Sequence, residues 1–226
     1  MHTPILIIDY GSQYTSLIAR RIRMLGVYCE IHPSNISFDF FKQFNPCGVI
    51  LSGGPSSVLE ENPRVIPEWL FESQIPLLGV CYGMQAMAQQ LGGKVIRGVA
   101  GEYGHADLHR TSTMDALFAG ILQPGQQSIP VWMSHGDQVQ ELPPGFEKIA
   151  YTDHTTVAAM AHESKPWYGL QFHPEVNHTP SGLKILEQFV LSICQAQRTW
   201  RTDAVLENLV EEIRRTVGKD KVLLAL

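Results

Sequence analysis

The chain has 226 residues, of which 44% are hydrophobic and 17% charged, with a formal net charge of -5. This length suits one large domain, or one domain with a fragment of another. The negative charge gives no electrostatic basis for binding nucleic acid, and no apolar run approaches the roughly 18–20 residues of a membrane span. Four cysteines without a CxxC pair argue against a metal site and favour a reduced, cytoplasmic protein.

Apolar runs alternate with helical patterns over the first part of the chain. The strands are predicted at residues 4–9, 27–32, 48–52 and 76–80, and the helices at residues 14–25, 66–72 and 84–91. Ser12 is the expected N-cap of the first helix and Gly26 its C′ residue. This order predicts an α/β fold of three layers, an open and mostly parallel sheet with helices on both faces.

From residue 94 to about residue 161, short extended runs and turns replace the alternation. We expect antiparallel strands that extend the sheet at its edge. A buried strand at residues 167–172 and a helix at residues 183–195 then close the domain, which we place at residues 1–197.

The tail has its own pattern. An amphipathic helix is predicted over residues 205–217, followed by an apolar strand at residues 221–226. We interpret residues 198–226 as a linker helix and the first strand of a truncated second domain. An edge strand of the first domain is the alternative.

The segment Gly79-Val80-Cys81-Tyr82-Gly83 lies between a predicted strand and a predicted helix. Glycines on both sides allow a sharp turn that presents the thiol at the carboxyl end of the sheet, where open α/β sheets bind ligands. The N-terminus of the following helix would favour a thiolate nucleophile. Cys81 is therefore the candidate nucleophile, with a buried structural cysteine as the alternative.

Three further segments follow predicted strands. His173 and Glu175 are two residues apart, so in extended backbone they share one face and can form a base oriented by a carboxylate. Gly53-Gly54 lets bare backbone approach a ligand, as an oxyanion hole requires. The polar residues of Trp132–Asp137 suit a small zwitterion. An ordinary turn or loop is the alternative for each of these segments taken alone.

Together these motifs resemble the class I (triad) glutamine amidotransferases. The segments LSGGP (51–55), GVCYGMQ (79–85) and GLQFHPEV (169–176) have the order and spacing of that family, and the likeness runs from Ile5 to about Leu191. The resemblance implies hydrolysis of glutamine through a glutamyl thioester, with no metal or cofactor in this chain. It assigns Cys81, His173 and Glu175 to the triad, and backbone N–H groups of Gly54 and Tyr82 to the oxyanion hole. Glutamine would be bound by Gln85, Ser134 and Asp137.

Residues 7–15 (IIDYGSQYT) and 133–137 (MSHGD) look like one branch of this family, in which an ATP-pyrophosphatase domain follows. That likeness implies a partner domain that uses ATP, Mg²⁺ and XMP, and a homodimeric full-length enzyme. Asn177 and Gly101 depart from the branch, where Thr and Arg are expected. The alternatives are another thiol enzyme such as a γ-glutamyl hydrolase, an amidotransferase subunit of a different biosynthetic enzyme, and a non-catalytic glutamine-binding module.

Overall fold

The computed structural model describes residues 3–111, 116–121 and 126–200, together with residues 210, 213–218, 220 and 222. The strands are β1 (Ile5–Asp9), β2 (Cys29–Pro33), β3 (Gly48–Leu51), β4 (Leu77–Val80), β5 (Lys94–Arg110), β6 (Ile129–Glu141), β7 (Phe146–Tyr151), β8 (Ala159–His162) and β9 (Trp167–Leu170). The helices are α1 (Thr15–Met24), α2 (Phe38–Phe44), α3 (Glu68–Glu72), α4 (Tyr82–Gln90) and α5 (Gly182–Glu187), which continues into a π-helical segment, Gln188–Ile193.

The strands form one mixed sheet in the order β2-β1-β3-β4-β9-β8-β7-β5-β6. The first five strands of this order are parallel, and the remaining pairings are antiparallel. The predicted α/β sheet with an antiparallel extension is therefore confirmed. Because β4 and β9 are neighbours, the residues that follow them meet at the same edge of the sheet, although about 90 residues separate them along the chain.

Apolar residues on β1 alternate between two cores. Ile5 and Ile7 belong to a cluster that includes α1 and α5, whereas Leu6 and Ile8 belong to a cluster that includes α2, α3 and α4. All four side chains are fully buried. The near-continuous apolar run of β1 thus follows from a sheet that is covered on both faces.

The antiparallel extension of the sheet contains longer strands than the short runs of sequence predicted. β5 has 17 residues and β6 has 13, and they form a long antiparallel hairpin whose register shifts between Arg97 and Glu102. Such a shift bends the strands and increases their local twist. The bend lies beside the carboxyl end of β4, so the hairpin contributes one wall of the site described below.

Two details of the helices were not predicted correctly. The N-cap of α1 is Tyr14, not Ser12, whose hydroxyl instead accepts a hydrogen bond from the Tyr14 N–H group in the preceding turn (3.1 Å). The sequence patterns also failed to indicate α2, which Ser37 caps by accepting from the Phe40 N–H group. Gly26, by contrast, follows α1 with φ +80° as expected of a C′ residue.

The predicted tail lies largely outside the described residues, as does most of the strand predicted at residues 221–226. Residues 213–217 are helical. The division at residue 197 stays a prediction. In the described part of the chain, no helix is both long and apolar enough to cross a membrane.

Candidate active site

Cys81 occupies the tight turn between β4 and α4. Its φ of +51° and ψ of -104° are strained for a residue with a side chain. The turn is fixed by backbone hydrogen bonds from the Cys81 N–H group to Leu170 (2.7 Å) and from the Gly83 N–H group to Ser52 (3.1 Å). These bonds tie the nucleophile candidate to both neighbouring strand ends, β9 and β3.

The two glycines of the GxCxG motif are explained by close backbone contact. A Cβ atom on Gly83 would lie 2.4 Å from the Leu51 carbonyl oxygen, and one on Gly79 would lie 2.6 Å from the Gly83 carbonyl carbon. No side chain fits at either position without a shift of α4. The two glycines therefore allow α4 to pack closely on β3 and β4, and this close packing fixes the position of the Cys81 thiol.

His173 and Glu175 follow β9 and face the turn. His173 Nδ1 lies 2.8 Å from Glu175 Oε1, and both side chains are buried. Two hydrogen bonds hold the backbone of His173. Its N–H group donates to the Trp132 carbonyl (3.0 Å), and the Thr179 hydroxyl donates to the His173 carbonyl (2.7 Å). The structure thus joins the imidazole to the carboxylate as the spacing of two residues predicted.

The electrostatics of His173 favour its charged form. Burial, the largest effect, opposes the charge, but hydrogen bonds to Cys81 and Glu175 and the negative charge of these partners outweigh it and raise the pKa of His173 to about 10. The imidazole is therefore an imidazolium near neutral pH, poised to donate a proton.

The other three thiols lie in surroundings of a different kind. Burial raises the pKa of Cys29 and of Cys47 to about 11, and it also raises the pKa of Cys194 well above the usual value of a thiol. All four cysteines are free. A neutral thiol is a poor nucleophile, so these three residues suit a structural role.

Two cavities open at Cys81. The larger, of about 430 Å³, is lined by all three predicted glutamine-binding residues, Gln85, Ser134 and Asp137, together with Gly54. The smaller, of about 190 Å³, lies toward the His173 side and is lined by Ser12 and Tyr14 among others. The sulfur thus lies where a polar cavity meets the imidazole.

The predicted oxyanion donors flank this junction. A Cβ atom on Gly54 would lie 2.8 Å from the Tyr10 carbonyl oxygen, and one on Gly53 would lie 3.3 Å from His173 Cε1. Only bare backbone fits at Gly54, whereas a side chain at Gly53 would require the imidazole to move by a few tenths of an ångström. Tyr82 is the first residue of α4, so its N–H group has no acceptor within the helix.

Asp137 is the most highly connected residue of the larger cavity. Its carboxylate accepts a short hydrogen bond from the Ser57 hydroxyl, and Arg97 Nε lies 3.9 Å from Oδ1. Its carbonyl oxygen accepts from Gln85 Nε2 (2.7 Å) and from His135 Nδ1 (2.9 Å). The sequence patterns indicated no role for Ser57 or Arg97, and they included His135 only as one of the polar residues of Trp132–Asp137.

His135 belongs to a buried polar cluster behind the cavity. Glu102 accepts hydrogen bonds from the hydroxyls of Thr152 and Thr155, and its Oε2 lies 3.7 Å from His135 Nε2. Burial lowers the pKa of His135, which keeps the ring neutral with its proton on Nδ1, the atom that faces the Asp137 carbonyl. The cluster braces the Ser134–Asp137 segment from behind.

Among the described residues, no group of three or more His, Cys, Asp or Glu side chains is arranged to hold a metal ion.

The sheet thus brings together a thiol on a strained strand-helix turn, a His-Glu pair that follows the neighbouring strand and a glycine pair beside them. This is the arrangement expected of an α/β protein with a nucleophilic cysteine. The family model of the class-I glutamine amidotransferases matches residues 6–193. The chain belongs to this family, and the resemblance drawn from the motifs is confirmed.

Two curated relatives are similar to this chain over almost its whole length. The chain is 54% identical over 229 residues to a GMP synthase [glutamine-hydrolyzing] of Legionella pneumophila (strain Lens), and 50% identical over 226 residues to that of Hahella chejuensis. These alignments cover 99% and 98% of this chain but only 43% of each relative, so the chain spans less than half of their length.

A solved structure agrees. A protein of Thermoplasma acidophilum, provisionally named as one of the subunits of a GMP synthase, superposes with a TM-score of 0.77 at 28% identity, over 93% of this chain and 98% of that one.

Proposed function

We propose that this chain hydrolyses glutamine to glutamate and ammonia, with Cys81 as nucleophile and His173 and Glu175 completing the triad. The observation that carries the proposal is the position of Cys81, which lies on a strained turn, lines one cavity together with the buried His173 imidazole and opens to a second, polar cavity. This geometry joins a nucleophile, a proton carrier and a binding site at one point.

The first half-reaction would form a thioester. The Cys81 thiolate attacks the side-chain carboxamide carbon, and the Gly54 and Tyr82 N–H groups hold the oxyanion, where one donor is typically worth about 3–4 kcal/mol. The imidazolium of His173 gives its proton to the departing nitrogen as the C–N bond breaks, and ammonia leaves.

In the second half-reaction, neutral His173 takes a proton from water, whose oxygen attacks the thioester. The C–S bond breaks, glutamate leaves and the thiolate is restored. Glu175 keeps the Nδ1 proton in place and stabilises the imidazolium in both steps.

The larger cavity supports the predicted binding of the amino-acid end of glutamine. Asp137 offers a buried carboxylate for the substrate ammonium, while Gln85 and Ser134 supply polar groups beside it. The Ser57 hydroxyl now donates to that carboxylate. A bound ammonium would share or displace this hydrogen bond. Arg97, which lines the same cavity, would offer a cation to the substrate carboxylate.

The named relatives extend the proposal to a larger reaction. We propose that this chain is the glutamine-hydrolysing part of a GMP synthase, whose ATP-pyrophosphatase domain uses ATP and Mg²⁺ to activate XMP and then consumes the ammonia to form GMP. Relatives about twice as long and 54% identical support this proposal. A homodimeric full-length enzyme and a cytoplasmic location remain part of it, the latter in keeping with four free cysteines.

The test is release of glutamate and ammonia from glutamine by the purified chain, alone and with a separately produced ATP-pyrophosphatase part of the Legionella relative plus ATP, Mg²⁺ and XMP. We expect slow hydrolysis alone and faster hydrolysis with GMP formation in the mixture. Glutamine binding without any glutamate release in either case would contradict the proposal and favour a binding module.

A further inference from the structure

Gln171 is a buried polar residue to which the proposed mechanism gives no role. It follows β9 directly, its side chain is fully buried, and its backbone N–H group donates to the Ala158 carbonyl (2.9 Å). Its side-chain Nε2 lies 3.7 Å from Cys81 Sγ, and its Oε1 accepts a hydrogen bond from Gln85 Nε2 (3.2 Å). The amide therefore bridges the nucleophile and Gln85, a residue of the larger cavity, which is called the glutamine cavity below.

The orientation of this amide is dictated by its neighbours. The Asp137 carbonyl oxygen can only accept, so the Gln85 atom 2.7 Å from it must be the nitrogen. The second hydrogen of that nitrogen points to Gln171, whose facing atom must then be the oxygen. The remaining end of Gln171, which faces the sulfur, is the N–H donor. A flipped Gln171 amide would set two nitrogens against each other and an oxygen against the sulfur.

We propose that Gln171 is a positioning residue that holds the Cys81 sulfur in its thiolate form, and that its orientation is fixed from the glutamine cavity through Gln85 and the Asp137 carbonyl. The inference rests on the proposed role of Cys81 as nucleophile. A hydrogen bond to a charged acceptor is stronger than one to a neutral acceptor, so the Gln171 N–H group favours the thiolate over the thiol. The Ser134 carbonyl, 3.7 Å from the sulfur on the β6 side, can accept only from the thiol.

Several other charged or titratable groups line the two cavities that open at Cys81. They are His173, paired with Glu175, and Tyr14 at the smaller cavity, and Glu60, Arg97, Tyr103, His135 and Asp137 at the larger one. A variant at Gln171 leaves all of them in the sequence. A change in thiolate reactivity in such a variant is therefore assigned to the amide.

The test is the rate of Cys81 alkylation by iodoacetamide, followed by peptide mass spectrometry over a pH series, in the wild-type chain and in Gln171→Met. Met has a similar length but no N–H donor. Since hydrogen bonds to charged groups are commonly worth a factor of ten or more, we expect alkylation about tenfold slower near neutral pH. The difference between variant and wild type should be largest near neutral pH and should disappear at alkaline pH.

Gln90→Met is the matched control, on the helix that carries Gln85. Gln90 makes two hydrogen bonds with the Ile66 backbone (2.7 and 2.9 Å) away from the site, so its loss should leave the alkylation profile unchanged. Gln171→Glu keeps the size and polarity of the side chain and serves if Gln171→Met does not fold. A carboxylate facing the sulfur should slow alkylation further near neutral pH.

An unchanged profile in both Gln171 variants, or a rate reduced equally at every pH, would overturn the inference. The outcome is separate from that of the proposed function, because alkylation requires no glutamine. Absence of glutamate release by the wild-type chain would refute the proposed function, whereas a normal Gln171→Met profile in an active enzyme would refute only the role of the amide.

Discussion

Replacing Gly83 by alanine tests whether the packing of the strand-helix turn sets the position of Cys81. The added Cβ atom would lie 2.4 Å from the Leu51 carbonyl oxygen and 2.7 Å from the Leu51 Cβ atom. An ordinary contact needs about 3.4 Å or more, so α4 must move away from β3 by about 1 Å. Both partners are backbone or buried side chain, so neither can rotate out of the way.

The expected loss has two parts. Overpacking of this kind costs about 1–3 kcal/mol, which for a domain of this size corresponds to a melting temperature roughly 3–10 °C lower. Moving a catalytic group by about 1 Å costs on the order of 100-fold in rate. We therefore expect Gly83→Ala to fold, to melt earlier and to release glutamate about 100-fold more slowly.

The assays are thermal unfolding followed by circular dichroism and coupled detection of glutamate. Gly120→Ala is the control, because Gly120 also has a positive φ (+68°) but its Cβ atom would meet nothing within 4 Å. It should lose a little stability and no activity. A Gly83→Ala chain with wild-type melting and wild-type turnover would refute the link between glycine packing and the position of the nucleophile.

Two further changes probe the charges of the site. The folded-state pKa of His173 is raised to about 10, so the charge of this residue contributes stability that is fully present below about pH 6.5 and is lost as the pH rises through about 10. Glu175→Gln should therefore lower the pH at which the His173 ring titrates by NMR. In urea unfolding, the same variant should be destabilised more near pH 7 than near pH 11. Equal destabilisation at both pH values would contradict this assignment. Asp137→Asn should raise the KM for glutamine roughly 30-fold or more, since losing one partner of a buried charge pair costs about 2–5 kcal/mol, with a smaller effect on kcat; Asp107→Asn, an exposed change on the same hairpin, should leave KM unaltered.

The parallel half of the fold follows from local sequence, whereas parts of the site do not. The run Ile5–Asp9 and the turn at Gly79–Gly83 indicate their structure through residues next to one another. The short helix α2 was missed because it has only seven residues and four of them are phenylalanines, which favour strands over helices. Its capping by Ser37 was the available signal.

The contacts of Asp137 were beyond sequence reasoning for a different reason. Arg97 faces Asp137 because of the register of β5 on β6, and that register shifts immediately afterwards. A shift of one residue would turn the Arg97 side chain to the other face. Ser57 reaches Asp137 across 80 residues of chain through a loop that no periodicity describes.

Gln171 lies between these cases. It precedes His173 by two residues, so the same alternation that paired His173 with Glu175 places Gln171 on the same side of the chain. That signal was available, but the partner at the other end of the amide, Gln85, comes from α4 and could only be found in three dimensions.

The most direct test of the central claim is rapid mixing of the chain with glutamine, followed by acid quenching and mass spectrometry of the peptide that contains Cys81. The proposed thioester mechanism predicts a glutamyl adduct on Cys81 that forms and decays during turnover. It predicts neither an adduct nor glutamate release in Cys81→Ala. Glutamate release without an adduct on Cys81, or turnover retained in Cys81→Ala, would contradict it.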